Sequence, residues 1–75
     1  DRYMKPAVEK LGGEILKVKH SRYRERYFCR SADEKMAVLD LCYDDKRKFK
    51  KKPEIQPGTT DEGFAQAIIG ELKKL

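Results

Sequence analysis

The chain has one histidine, two cysteines and no tryptophan, and each scarcity excludes something. His20 has no second imidazole to work with, and no carboxylate constellation stands near it in the sequence. General acids and bases act in sets, so His20 reads as a loop residue, RNA cleavage is not expected, and no motif specifies another reaction. Cys29 and Cys42 are too few for a disulfide framework. With His20 they offer three metal ligands, no Cys-x-x-Cys pair and no evident fourth ligand. The expectation is therefore no metal, no cofactor and no enzymatic activity. The cysteines read as small strand residues, and a bridge between them would require adjacent strands that face each other.

Long apolar runs are also missing. None reaches the length needed to cross a bilayer, and no secretion-signal pattern is present. An intracellular setting, cytoplasmic or nuclear, with reduced thiols is expected. The chain opens at Asp1 without a methionine, which reads as an excised domain or a processed product. Seventy-five residues make one domain, 1–75. A chain this short buries only about 60% of its unfolded surface and has no room for a deep cleft between lobes.

Charge is plentiful. Charged residues make up 41% of the chain, against about 25% in ordinary domains. The apolar 39% is nevertheless regularly patterned, which argues for a folded domain rather than disorder. The net charge is +5, and its densest part is Lys46-Arg47-Lys48-Phe49-Lys50-Lys51-Lys52, just after Asp44-Asp45. Such a strip most often meets a polyanion. The competing reading is a solvated, lysine-rich edge that keeps other sheets from pairing with it. The density of charge favours the polyanion.

Periodicity supplies the elements. Val8 and Leu11 form a short apolar stripe after Pro6, and Gly12-Gly13 stops it, so a helix is expected over 4–11. Residues 14–19 read as a strand and His20-Ser21-Arg22 as a turn. Residues 23–30 alternate. Tyr23, Glu25, Tyr27 and Cys29 fall on one face; Arg22, Arg24, Arg26, Phe28 and Arg30 fall on the other. In the strand 36–43, Ala37, Leu39, Leu41 and Tyr43 oppose Met36, Val38, Asp40 and Cys42. Residues 46–52 read either as a fourth, edge strand or as a loop. Pro53 ends that run, and 53–58 make a linker. Thr59 and Glu62 fit a capping box for a last helix whose Phe64, Ile68, Leu72 and Leu75 line one side. The fold class is α+β in two layers: a short N-terminal helix, three or four antiparallel strands, and a C-terminal helix packed on one sheet face. The cations then spread over the other face.

The helix–strands–helix order, the length and the capped final helix resemble a double-stranded-RNA-binding domain. That resemblance implies RNA binding through the first helix, the loop at His20-Ser21-Arg22 and lysines opening the last helix. The chain departs at the last point, because Asp61-Glu62 stand where the paired lysines belong. The layout is also similar to Alu-domain proteins of the signal recognition particle, in the stretch Glu14-Ile15-Leu16-Lys17-Val18-Lys19-His20-Ser21. Residues 58–75 resemble the end of kinase-associated C-terminal domains that dock acidic phospholipid. HicA-type RNA-cleaving toxins share the layout, but Val18-Lys19 stand where their motif has glycine and serine.

These readings converge on a non-catalytic module for structured RNA. The expected phosphate contacts are Arg22, Arg24, Arg26, Arg30, Lys46, Arg47, Lys48, Lys50, Lys51 and Lys52. Two alternatives stand beside it: an acidic membrane surface, and a protein partner on the bare helix face of Gly63, Ala67 and Gly70.

Overall fold

A computed structural model describes residues 3–75, except for the side chain of Lys51. Its elements are α1 (Met4–Lys10), β1 (Glu14–His20), β2 (Arg24–Arg30), β3 (Met36–Tyr43), β4 (Phe49–Ile55) and α2 (Glu62–Lys73). The four strands form one antiparallel sheet in the order β1-β2-β3-β4. Both helices pack on one face of it, and the other face is open. The two-layer α+β expectation holds, with four strands.

Local chemistry explains the ends of the elements. Gly12 stops α1 at φ +81, a left-handed conformation that glycine adopts without penalty. Gly13 then lets the chain pass between the Phe64 ring and the Arg30 carbonyl, where an added Cβ would lie 2.5 and 2.6 Å from them. Pro6 is the third residue of α1 rather than the first. It is still in the first turn, where backbone N–H groups have no helical partner.

The expectation of a non-regular linker beginning at Pro53 is corrected. β4 continues through Pro53 and Glu54 to Ile55, which pairs with Leu39. An edge strand tolerates proline because its outward N–H has no ladder partner. The register also slips between Asp40 and Cys42, opposite this stretch.

The cap is corrected too. Asp61, not Thr59, caps α2, and its Oδ1 accepts the Phe64 N–H at 3.0 Å. The threonines are used sideways. Thr59 Oγ1 accepts the Val38 N–H, and Thr60 Oγ1 accepts the Met36 N–H, each at 3.0 Å. They extend the edge of β3 beyond the end of β4.

The core follows the alternation. Tyr27, Cys29, Ala37, Leu39 and Leu41 face Met4 and Val8 of α1 and Phe64, Ile68 and Leu72 of α2. Leu39 and Leu41 thus share one core with Phe64 and Ile68. Leu75 is exposed, and Ile69 is buried. Cys29 sits opposite Ala37 on the core face and Cys42 opposite Arg24 on the open face, so both thiols are free. No helix is long and apolar enough to cross a membrane among the described residues.

Candidate nucleic-acid interface

The open face is built by strand pairing. Arg30, Phe28, Arg26 and Arg24 of β2 lie side by side with Glu14, Lys17 and Lys19 of β1 on one flank and Met36, Val38, Asp40 and Cys42 of β3 on the other. Lys50 joins from β4, opposite Cys42, and Glu54 lies opposite Asp40. Adjacent strands stand about 4.8 Å apart, so four of them make a face roughly 15–20 Å wide.

Asp40 organises the centre of this face. It is fully buried, and a buried carboxylate must be paired. Arg26 supplies the pair with a two-point fork, Nε to Oδ1 at 2.8 Å and Nη2 to Oδ2 at 3.2 Å. That partnership raises the pKa of Arg26. Arg26 also donates to Gln56 Oε1 at 3.3 Å, and Arg24 stands 3.6 Å from Asp40 Oδ2. Two guanidinium groups around one carboxylate leave a positive charge in a fixed orientation. Arg30 pairs with Glu14, so its charge is balanced. Lys17, Lys19 and Lys50 make no ion pair among the described residues, and Lys19 lies over the Phe28 ring at 5.7 Å.

The basic run is not one strip. Asp44 Oδ1 accepts the N–H groups of Lys46 and Lys48, at 2.9 and 2.8 Å, and closes a turn. Arg47 sits in that turn at φ +63, and its guanidinium reaches the Arg22 carbonyl at 3.3 Å. Lys46, Arg47 and Lys48 therefore join Arg22 at one end of the sheet, where the two hairpin turns meet. Phe49 turns inward and stacks on Tyr3 with ring centroids 5.0 Å apart. Lys50 and Lys52 are exposed along β4, and the Lys51 side chain lies outside the described residues.

Sequence reasoning missed Lys17 and Lys19. Leu16 is an extra residue in β1, because the register slips between Ile15 and Lys17, and this bulge shifts the parity that alternation relies on. It also missed a polar cluster on the core side. His20 Nδ1 lies 2.9 Å from Glu25 Oε2, while Tyr27 and Tyr43 donate their hydroxyls to Oε1. A carboxylate within the Tyr23, Glu25, Tyr27, Cys29 set was the available signal. Burial pushes the Glu25 carboxyl up, but the hydroxyls of Tyr43 and Tyr27 and the nearby His20 more than offset it and hold it below its ordinary value. His20 itself is exposed. No group of three or more His, Cys, Asp or Glu could hold a metal ion among the described residues.

The other sequence candidates lie elsewhere. Gly63 and Gly70 are exposed on α2, and a Cβ added at Gly70 would meet nothing within 4 Å. At the opening of α2, where double-stranded-RNA-binding domains carry lysines, the Asp61 carboxylate is occupied as a cap.

No curated protein and no solved structure matches the chain. The family comparison agrees with a small interaction module built as helix, antiparallel sheet and helix. Residues 2–72 match the TATA-binding-like protein domain of the TOTE conflict systems, and the chain belongs to that family.

Proposed function

We propose that the open sheet face binds duplex nucleic acid, with double-stranded DNA as its preferred form, and performs no chemistry of its own. The observation that carries this reading is the asymmetry of the sheet. One face is closed by two helices, and the other presents Lys17, Lys19, Arg24, Arg26 and Lys50 around Phe28. Proteins that read the minor groove, the TATA-binding protein among them, combine Arg and Lys with apolar side chains pressed against base steps. The family description names a TATA-binding-like domain, and this moves the preferred duplex from structured RNA to DNA. Arg22, Lys46, Arg47 and Lys48 at the turn end would hold backbone phosphates, which position a protein without reading sequence.

The test is fluorescence anisotropy with A/T-rich DNA, G/C-rich DNA, duplex RNA and anionic vesicles, each at several salt concentrations. DNA is expected to bind with a steep salt dependence and to remain intact throughout. Each phosphate contact contributes about 0.9 to the log–log slope. Replacing Lys17, Lys19 and Lys50 together by Gln should therefore lower the slope by about 2.7 if each meets a phosphate. An unchanged slope would remove the open face as the site. Preference for duplex RNA would restore the RNA reading, and binding to vesicles alone would favour an acidic-lipid module.

A further inference from the structure

The last rungs of the β1–β2 hairpin hold more positive charge than the sheet neutralises. A pocket of about 170 Å³ lies there, lined by Lys19, Ser21, Arg24 and Arg26. Lys19 stands directly opposite Arg26 across the strand pair, and like charges so placed repel. Arg24, two residues before Arg26, shares the same face. The carboxylate that meets this group is Asp40, which takes the Arg26 fork and lies 3.6 Å from Arg24. Glu54 lies beyond it, on β4. Three cations against one carboxylate leave two positive charges. The parts are also held in place. Asp40 and Gln56 engage Nε and Nη2 of Arg26, so Nη1 is the end left to donate. The Ser21 N–H and hydroxyl both donate to the Arg24 carbonyl, at 2.8 and 2.9 Å, and fix the turn that closes the pocket. The Lys19 ammonium lies 5.7 Å from the centroid of the Phe28 ring.

We infer that this pocket takes a terminal phosphomonoester, the phosphate at the end of a nucleic-acid strand. An internal phosphodiester carries a single negative charge. A monoester carries about −1.5 to −2 near pH 7 and presents three strong acceptor oxygens. Its charge matches the two that the sheet leaves unbalanced. Its three oxygens match three cationic groups, Lys19 from β1 and Arg24 and Arg26 from β2, which reach the pocket from two strands. The pocket holds the volume of a handful of waters, at about 30 Å³ each in the liquid, which suits one tetrahedral anion. A bound dianion also removes the repulsion between Lys19 and Arg26 that the empty hairpin carries. The inference rests on the reading of the open face as a duplex-binding surface, and it adds where a strand end sits on that surface.

The test compares one fluorescent DNA duplex carrying 5′-phosphate, 3′-phosphate or hydroxyl ends, by anisotropy. A terminal phosphate should tighten binding about tenfold, the scale of one added charge-assisted contact, and the 5′ and 3′ arms show which end is used. Lys19→Gln and Arg24→Gln should each remove most of that ratio, whereas Lys17→Gln, outside the pocket, should keep it. Both pocket variants spare the Arg26 fork on the buried Asp40, and circular dichroism checks that each is folded. Equal affinity whatever the ends would overturn the pocket and leave the duplex reading standing. So would a ratio that survives in both folded pocket variants. Thermal melts in inorganic phosphate, against chloride at matched ionic strength, examine the pocket without nucleic acid. Stabilisation by phosphate that is lost in Lys19→Gln, with no duplex bound, would remove the strand end as the occupant along with the duplex reading itself.

Discussion

Glu25 shows how a single residue changes meaning between sequence and structure. It lies on the core side of β2 and accepts hydrogen bonds from Tyr27 and Tyr43 beside His20. Burial works against its ionisation, and these partners more than compensate, so its folded pKa lies below the ordinary 4.5. A carboxyl with a depressed folded pKa adds stability that is full above its unfolded value and is lost as pH falls through the folded value. The wild type should therefore be more stable than Glu25→Gln above about pH 4.5, and the gap should close as the pH is taken lower. Urea denaturation at a series of pH values reads this directly. A gap that stays constant down to pH 2 would mean that the variant loses packing rather than charge.

At the scale of elements, two glycines of similar appearance have opposite roles. Gly13, at the junction of α1 and β1, is pressed between the Phe64 ring and the Arg30 carbonyl, and a Cβ there would lie under 3 Å from both. The ring tip can shift, but the backbone oxygen cannot shift without moving β2. Gly13→Ala should cost about 1–3 kcal/mol, the usual penalty for overpacking. Gly70 is inside α2 with nothing within 4 Å of the Cβ position. Gly70→Ala should stabilise by roughly 0.5–1 kcal/mol, since alanine loses less backbone freedom in a helix. Thermal melts of both variants check the opposite signs. Equal destabilisation by the two would place α2 differently against the rest of the fold.

The two cysteines report on the whole molecule, because the sheet separates them. Burial pushes the Cys29 thiol up to about 12, and its place in the core shields it from reagents. Cys42 lies on the open face beside Arg24 and Lys50. A thiol reagent at neutral pH should therefore modify Cys42 first and leave Cys29 untouched until the protein unfolds. If duplex DNA occupies the open face, saturating DNA should slow labelling of Cys42 and leave Cys29 unchanged. Mass spectrometry of the labelled peptides gives both rates. Labelling of Cys42 at the same rate with and without bound DNA would put the duplex elsewhere, with the turn-end cations Arg22, Lys46, Arg47 and Lys48 the next surface to examine.

Local pattern was enough to determine much of this protein. The period of two in 23–30 and 36–43 placed Tyr27, Cys29, Leu39 and Leu41 inside and Arg24, Arg26, Phe28 and Arg30 outside, because a strand turns alternate side chains to opposite faces whatever lies around it. The helical spacing of Phe64, Ile68 and Leu72 fixed the buried side of α2 for the same kind of reason. Tertiary structure decided the rest. The bulge at Leu16 reversed the parity of β1 and brought Lys17 and Lys19 to the open face, and a bulge exists only in the pairing of one strand with another. Pro53 stayed within β4 because that strand lies at an edge, which no local window reveals. Thr59 and Thr60 gave their hydroxyls to β3, and the cap fell to Asp61. The run 46–52 was legible as charge but not as shape. One carboxylate, Asp44, folded its first half into a turn through local hydrogen bonds to the Lys46 and Lys48 N–H groups, and Phe49 turned inward onto the Tyr3 ring, a contact between residues far apart in the chain that a sequence alone does not display.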